Sequence, residues 1–309
     1  ELWIVELATG NGVKLDTGCQ FHNCVQFCGL TNRIYFIGGG PDKAPSIICY
    51  DIGLSKPFVV RSGADAAVSK EYISIPTHIK FPTTEDNADS VAYAYFYPPT
   101  NPSFCGPDGA LPPLLVLVHG GPTGATFPVL SLSRLYYTSR GFAVLDVNYR
   151  GSTGYGRRYR QLLNKELGIR DIDDCCNGAL HLVKESKVDP NKLCIAGGSA
   201  GGYVVLAALT FRDVFHVGVS HFGISDLVAL ELETHKFEAR YTSSLIGPYP
   251  ECEETYKQRS PINYTDRLNK PVAFFQGTED KIVPPNQAEM LYDVVKAKGL
   301  PTVYVLFDG

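Results

Sequence analysis

Residues 192–211 read KLCIAGGSAGGYVVLAALTF, and this stretch decides the fold. Its first apolar residues, 192–196, predict a buried strand, and the apolar run over 200–211 predicts a helix. The glycines between them surround Ser199 in the pattern G-x-S-x-G. That pattern is weak alone, but a strand before it and a helix after it match the sharp turn that exposes a nucleophilic serine. The alternative is a glycine-rich turn that only packs a helix close to a strand.

Outward from this turn, strand and helix patterns alternate from about residue 70 to the end. Apolar runs predict strands over 77–81, 91–97, 114–118, 142–147, 217–219, 272–276 and 302–307. Helical patterns cover 129–140, 171–186 and 286–298. Buried strands joined by helices predict an α/β class with a mostly parallel sheet and helices on both faces. Ligands of such sheets bind at the carboxyl ends of the strands.

The first 70 residues have a different pattern. Short strand-like pieces at residues 2–5, 33–37 and 46–50 each end in a glycine-containing turn. Strands of this length with turns between them are typical of all-β structure, including the blades of a propeller. About 70 residues supply fewer than two four-stranded blades, and one blade alone leaves open sheet edges. We therefore expect this part to be the tail of a larger β domain.

Composition excludes several classes of protein and partner. Of 309 residues, 44% are apolar and 19% are charged, so the chain can bury a core, and its net charge of −4 recommends neither nucleic acid nor an anionic membrane. The longest aliphatic run has five residues and cannot span a bilayer. Nine cysteines and no signal peptide at the start predict reduced thiols and a cytoplasmic location.

No cofactor or metal is expected. Cys19, His22, Cys24 and Cys28 lie close in sequence but lack the paired C-x2-C units of zinc sites, so we interpret them as small side chains in strands.

If Ser199 is a nucleophile, it needs donors for the oxyanion that forms on the attacked carbonyl. One candidate is the backbone N–H of Ala200 at the start of the helix. The second is the N–H of Gly121, in the loop His119-Gly120-Gly121-Pro122 that follows the strand over 114–118. We expect His119 to shape this loop and not to act as the base, because it precedes Ser199.

The triad acid should follow a later strand, and the histidine should follow the acid. Asp280 fits the acid, at the carboxyl end of the strand over 272–276, and is preferred to the adjacent Glu279. All seven histidines precede Asp280, so the sequence as given lacks a base; His221 lies near a strand end but in the wrong order. The chain is therefore expected to be either a fragment, itself inactive, or a non-catalytic relative.

Six motifs in order give the chain a family resemblance. It resembles the prolyl oligopeptidase family of serine peptidases, in the branch of acylaminoacyl-peptidases and dipeptidyl-peptidase-like proteins, from about residue 70 to the end. The motifs are VHGGP at 118–122, NYRGSTGYG at 148–156, GGSAGGY at 197–203, SDL at 225–227, RSP at 259–261 and GTEDKIVPPNQ at 277–287.

The resemblance implies an α/β-hydrolase fold preceded by the last strands of a β-propeller, over residues 69–309 and 1–68. The hydrolase domain would be truncated at its C-terminus, with the histidine within a few residues of Gly309. It also implies Ser199 as nucleophile, Asp280 as acid, and Gly121 and Ala200 as oxyanion donors. Residues that match the lining of the primary pocket in relatives, with core packing as the alternative, are Phe222, Ile224 and Val283.

Two positions differ from many relatives. Ile282 stands where they carry an arginine that binds a substrate carbonyl, and Ala200 stands where they carry a tyrosine. The oxyanion N–H survives the second change. We expect Arg150 to brace loops by pairing with an acid rather than to bind a substrate carboxylate.

The function that these residues and this resemblance imply is a serine-type peptidase for short peptides. The alternatives are a non-catalytic hydrolase-like scaffold that binds a partner, and a general carboxylesterase. The sequence leaves open the preferred residue, endopeptidase or exopeptidase action, and the oligomeric state, a homo-oligomer included.

Overall fold

The computed structural model describes residues 1–63, 68–84, 90–233 and 240–309. Within these ranges the chain forms two compact units. One comprises Glu1–Thr77, Tyr97–Cys105 and Phe127–Gly141, and the other comprises His78–Phe96, Gly106–Thr126 and Phe142–Gly309. The domain boundary predicted after residue 68 stays a prediction.

The first unit is built on short antiparallel strands. A hairpin of β1 (Trp3–Val5) and β2 (Gly12–Lys14) precedes a four-stranded sheet in the order β3-β4-β5-β6. The strands of that sheet are β3 (Phe21–Cys28), β4 (Arg33–Gly40), β5 (Lys43–Asp51) and β6 (Lys56–Arg61). Its small core contains Leu15, Ile34, Phe36, Ile48 and Tyr50. A four-stranded meander of this kind fits the last part of a β-propeller, as the sequence predicted.

The second unit contains most of an eight-stranded sheet in the order β14-β13-β12-β11-β9-β10-β8-β7. Its strands are β7 (Thr77–Pro82), β8 (Val91–Tyr97), β9 (Leu114–Val118), β10 (Ala143–Asn148), β11 (Leu193–Gly198), β12 (Val217–His221), β13 (Val272–Gly277) and β14 (Thr302–Phe307). Six consecutive strands, from β10 to β14 through β9, are paired in parallel. This is the α/β-hydrolase arrangement that the sequence predicted.

Eight α-helices lie in the described part of the chain. They are α1 (Leu132–Thr138), α2 (Gly156–Gln161), α3 (Arg170–Lys184), α4 (Ala200–Phe211), α5 (Leu227–Glu233), α6 (Tyr241–Leu245), α7 (Glu253–Arg259) and α8 (Asn286–Ala297). The helix predicted over 129–140 is shorter and begins at Leu132. Helix α4 is buried from Ala200 to Thr210, which explains why its sequence is apolar on every side.

The strand order places the site. The chain passes from β9 to β10 on one side of β9 and later returns to β11 on the other side. The order therefore reverses between β9 and β11, and the loops that leave their carboxyl ends diverge. A crevice forms at such a reversal, and ligands of open α/β sheets bind there. Both Gly121, after β9, and Ser199, after β11, lie at this point.

Arg150 is fully buried and braces the loop after β10, as the sequence predicted. Its guanidinium contacts the buried carboxylate of Asp174 on α3, with Nε at 3.0 Å and Nη2 at 2.9 Å from Oδ1. The backbone N–H of Arg150 donates to Oδ2 of the same carboxylate at 2.7 Å. The NYRGSTGYG motif is thereby fixed to α3.

Arg150→Met should lower the free energy of unfolding by about 3–5 kcal/mol, because it leaves the Asp174 carboxylate buried without its cation. The matched control is the exposed Arg157→Met, which should change it by less than about 0.5 kcal/mol. Urea unfolding followed by circular dichroism measures both. Equal stabilities of the two variants would contradict the brace.

Candidate active site

Ser199 lies on a strained turn between β11 and α4. Its φ of 55° and ψ of −123° are rare for a residue with a side chain, and such backbone costs on the order of 1–3 kcal/mol. The turn is held on both sides: the Ser199 N–H donates to the His221 carbonyl, and its carbonyl accepts the Tyr203 N–H, each at 3.0 Å. The predicted turn is therefore present, with Ser199 at its apex.

Two glycines let α4 begin this close to the sheet. A Cβ atom on Gly201 would overlap the carbonyl oxygen of Val118, at the end of β9. A Cβ atom on Gly202 would lie 2.6 Å from the Cα of Gly223. Both clashes are with backbone, which cannot move aside as a side chain can, so glycine is required here for space.

The loop after β9 is fixed by His119. Its Nδ1 donates to the Gly120 carbonyl and its Nε2 contacts Ser152 Oγ, both at 2.8 Å. The ring also stacks on Tyr149, with centroids 4.4 Å apart. Burial lowers the pKa of His119, so the ring is neutral at physiological pH and Nε2 accepts. With both nitrogens engaged, His119 shapes the loop, as predicted.

The two predicted oxyanion donors border the cleft that contains Ser199. Within the described ranges, neither the Gly121 N–H nor the Ala200 N–H donates to any protein acceptor. A Cβ atom on Gly120 would lie 3.4 Å from the Ser199 Cβ, so this loop runs directly past the serine. Two unused amides beside one hydroxyl form a site that a carbonyl oxygen could occupy.

The cleft beside Ser199 is apolar. It encloses about 550 Å³ of empty space, part of it open to solvent. Ile224 and Val283, two of the predicted pocket residues, lie in its wall, together with Leu167, Tyr203, Leu227, Leu230, Tyr241 and Leu245. None of the described lining residues carries a charged side chain. Phe222, the third predicted pocket residue, does not line this cleft.

Asp280 and Phe222 line a neighbouring cavity, together with His221, Glu279 and Gly309; it contains about 690 Å³ of empty space, part of it open to solvent. The Asp280 Oδ1 accepts the N–H groups of Ile282 and Val283 at 2.9 and 3.0 Å. Ser199 and Asp280 follow β11 and β13, which are separated by β12. Two strand spacings put these strand ends about 10 Å apart. Both residues therefore lie at the carboxyl ends of the parallel strands, without direct contact between them.

Gln287 and Gln276 fix the loops after β12 and β13. Neither glutamine was identified as functional from the sequence. Gln287 Oε1 accepts the N–H groups of Ser225 and Asp226 at 2.9 and 2.8 Å, inside the protein. Gln276 Nε2 donates to the Val283 carbonyl at 2.8 Å. The SDL motif and the motif at 277–287 therefore meet. The sequence shows both motifs and their order, but it does not show that they are in contact.

Arg259 of the RSP motif holds another wall of the cleft. Its Nη1 donates to the carbonyls of Lys165 and Leu167 at 2.9 and 2.8 Å. Its own carbonyl accepts the hydroxyl of Tyr203 at 2.9 Å. These contacts fix the positions of Leu167 and Tyr203, which both line the cleft.

Asp171 adds a buried acid behind this wall. Its Oδ1 accepts the Gly168 N–H at 2.8 Å, and no described residue donates to Oδ2. Burial raises the pKa of Asp171 to about 7. The carboxyl group is therefore partly protonated near neutral pH, unlike an exposed aspartate.

The described residues contain neither a metal-binding cluster nor a membrane-spanning helix. No group of three or more His, Cys, Asp or Glu side chains there could hold a metal ion. No helix in those ranges is long and apolar enough to cross a membrane.

Comparisons with known proteins agree on one family. The chain matches the profile of the prolyl oligopeptidase family over residues 128–309. It is 31% identical to dipeptidyl aminopeptidase BIII of Pseudoxanthomonas mexicana over 72% of this chain and 33% of that protein. It is 29% identical to the acylamino-acid-releasing enzyme of Arabidopsis thaliana, over 65% of this chain and 28% of that enzyme. The chain thus spans about a third of the curated relatives it matches.

Among solved structures, a puromycin-hydrolysing peptidase of Mycobacterium tuberculosis superposes with a TM-score of 0.94 at 39% sequence identity. The match covers 99% of this chain and 46% of that one.

Asp171→Asn should remove a pH dependence of stability. In the unfolded chain an aspartate loses its proton near pH 3.9, whereas the folded protein keeps the Asp171 proton to about pH 7. The free energy of unfolding therefore falls as pH rises through this window, by up to about 4 kcal/mol. The variant, which keeps the Oδ1 acceptor, should lack this fall.

Urea unfolding at pH 4, 5.5 and 7.5 measures the difference, with the exposed Asp108→Asn as control. Parallel pH profiles of Asp171→Asn and the unsubstituted protein would contradict a raised pKa.

Proposed function

Because the chain belongs to the prolyl oligopeptidase family, we propose that it is the catalytic part of a serine peptidase for short peptides. The observation that carries the proposal is the strained Ser199 with two unused amides beside it. Strained backbone at an exposed nucleophile is a recurring feature of active sites. A non-catalytic scaffold has no need of it.

In the proposed reaction Ser199 Oγ attacks the carbonyl carbon of the scissile peptide bond. A histidine takes the serine proton as the C–O bond forms, and the N–H groups of Gly121 and Ala200 bind the oxyanion. The histidine then gives the proton to the amine that leaves as the C–N bond breaks. Water hydrolyses the acyl-enzyme by the same route and restores the Ser199 hydroxyl.

We place the histidine in the sequence that continues past Gly309. Gly309 follows β14 and lines the cavity that contains Asp280. Its N–H donates to Thr278 Oγ1 at 3.1 Å, two residues before Asp280. An imidazole in the next few residues would reach Asp280 on one side and approach Ser199 on the other. Asp280 would then orient the imidazole and stabilise its charged form.

His221 supports the proposal less well as a base. It shares the cavity with Asp280, but its ring stacks on Phe275 with centroids 4.9 Å apart. Burial lowers the pKa of His221. Its backbone carbonyl already accepts the Ser199 N–H, which fixes the strand end and favours a structural role.

Covalent labelling with a fluorophosphonate tests whether Ser199 is the nucleophile. A chain that continues past Gly309 with its own gene sequence should label rapidly at Ser199. The 309-residue chain should label more slowly by roughly 10³-fold or more, because a serine without its base is a poor nucleophile. In-gel fluorescence gives the rates, and mass spectrometry identifies the labelled residue.

In the extended chain, Ser199→Ala should abolish labelling, and Asp280→Asn should slow it by about 10³–10⁴-fold. Ser103→Ala, at an exposed serine outside the motifs and the cleft lining, is the serine control and should keep the label at Ser199. An extended chain that does not label would exclude the peptidase and favour the scaffold.

The apolar cleft leads to a prediction about the residue before the cleaved bond. We propose that its side chain enters this cleft, where none of the described lining residues could pair with a charge. Peptide anilides with Leu or Phe at this position should be cleaved with kcat/KM at least about 100-fold above those with Asp or Lys, since burying an unpaired charge is costly.

Val283→Ala should lower kcat/KM for Leu and Phe substrates by about 10-fold and leave a small Ala substrate nearly unaffected. Val303→Ala, at an exposed position of β14, is the control. Preferred cleavage after Asp or Lys would contradict the assignment of the cleft. Turnover of acyl esters but of no peptide anilide would favour the esterase.

A further inference from the structure

Tyr241 links the wall of the Ser199 cleft to the loop that carries Gly121. Its hydroxyl accepts the Thr123 N–H at 3.0 Å and lies 2.5 Å from Thr123 Oγ1. Its ring, at the start of α6, lines the cleft. One side chain therefore contacts both the space for a substrate side chain and the segment next to a predicted oxyanion donor.

The other side of this loop is held by residues that follow β10. The Tyr149 hydroxyl donates to the Pro122 carbonyl at 3.1 Å, and the Thr153 N–H donates to the Gly124 carbonyl at 2.7 Å. In the part of the chain that the structure describes, Tyr241 is the one residue outside the loops after β9 and β10 that hydrogen-bonds to residues 119–124. Of the described contacts on the cleft side, those of a single hydroxyl hold this loop.

The path from Thr123 to Gly121 is short and tightly folded. Gly121 has a φ of 128°, and a Cβ atom on it would lie 2.7 Å from the Thr123 nitrogen. The loop turns back on itself here, so that Thr123 and Gly121 are packed against each other. A rotation of the Thr123 peptide would therefore change the direction of the Gly121 N–H.

We propose that Tyr241 is a positioning residue, which holds Thr123 and so directs the Gly121 N–H towards the oxyanion. The inference rests on the proposed function. A substrate side chain that packs on the Tyr241 ring would also stabilise the hydroxyl contact, so that occupation of the cleft and alignment of the oxyanion donor reinforce each other. This would favour substrates with an apolar side chain in the rate of reaction as well as in binding.

Tyr241→Phe tests this, because it keeps the ring in the cleft and removes only the hydroxyl. In the extended protein, with a Leu anilide as substrate, kcat should fall about 10-fold and KM should stay within about twofold. This is less than the 10²–10³ lost when an oxyanion donor is removed outright, since the Gly121 N–H remains. A substitution that only loosens the cleft would raise KM instead.

Thr123→Val and Thr123→Ser form the second pair of variants. Thr123→Val should lower kcat in the same sense, and Thr123→Ser should restore most of the loss. The double variant Tyr241→Phe, Thr123→Val should be no slower than Tyr241→Phe alone, because Tyr241→Phe already removes the Oγ1 contact that Thr123→Val removes. The control is Tyr136→Phe, at an exposed tyrosine of the first unit.

Amide hydrogen exchange of the peptide 119–126 gives a readout that needs no activity. Tyr241→Phe should speed exchange of the Thr123 amide at least about 10-fold, with an unchanged melting temperature. Unchanged exchange, or a rise in KM at constant kcat, overturns the proposal. If the unsubstituted protein has no Ser199-dependent turnover, the proposed function fails, and the positioning role is then judged by the exchange alone.

Discussion

The backbone of Ser199 is the constraint on which the rest of the site depends. A residue with φ of 55° at the head of a buried helix is unfavourable by itself, so the surrounding structure has to hold it there. Gly201 and Gly202 let α4 approach the ends of β9 and β12, and the His221 carbonyl binds the Ser199 N–H. The burial of the apolar residues of α4 in the core stabilises the fold and offsets the cost of this strained backbone.

The motifs that flank the cleft share one physical role, since each ties a loop at the carboxyl edge of the sheet to something rigid. Arg150 binds Asp174 on α3, Arg259 binds the carbonyls of Lys165 and Leu167, and Gln287 binds the backbone of residues 225–226. Loops at a strand-order reversal diverge, so nothing in the sheet itself holds them. Side-chain contacts with backbone atoms, and with the buried Asp174 carboxylate, supply that rigidity.

The sequence predicted the elements whose pattern is local. Strands Val91–Tyr97, Leu114–Val118 and Thr302–Phe307 and helix Ala200–Phe211 have the predicted bounds. Uninterrupted apolar runs mark them, whether the element is buried, as Leu114–Val118 is, or half-exposed, as Thr302–Phe307 is. The bounds of strand Phe21–Cys28 were not predicted, since its residues are mostly exposed and mix polar with apolar types, although its cysteines were expected to lie in strands. Ser199 was found from its neighbours in sequence. The contact of Tyr241 with Thr123 joins residues 118 positions apart, and no local pattern announces it.

Ser199 and Asp280 line two neighbouring cavities, which differ in the side chains that surround them. The described lining of the Ser199 cleft is apolar and carries no charged side chain. The second cavity holds two acids and a histidine, and its wall includes Phe222 with a φ of 39°. Phe222 and Ile224 leave the same strand end yet line different cavities. In the proposed function, the loop after β12 would separate side-chain selection from proton transfer, and Gln287 fixes this loop through the N–H groups of Ser225 and Asp226.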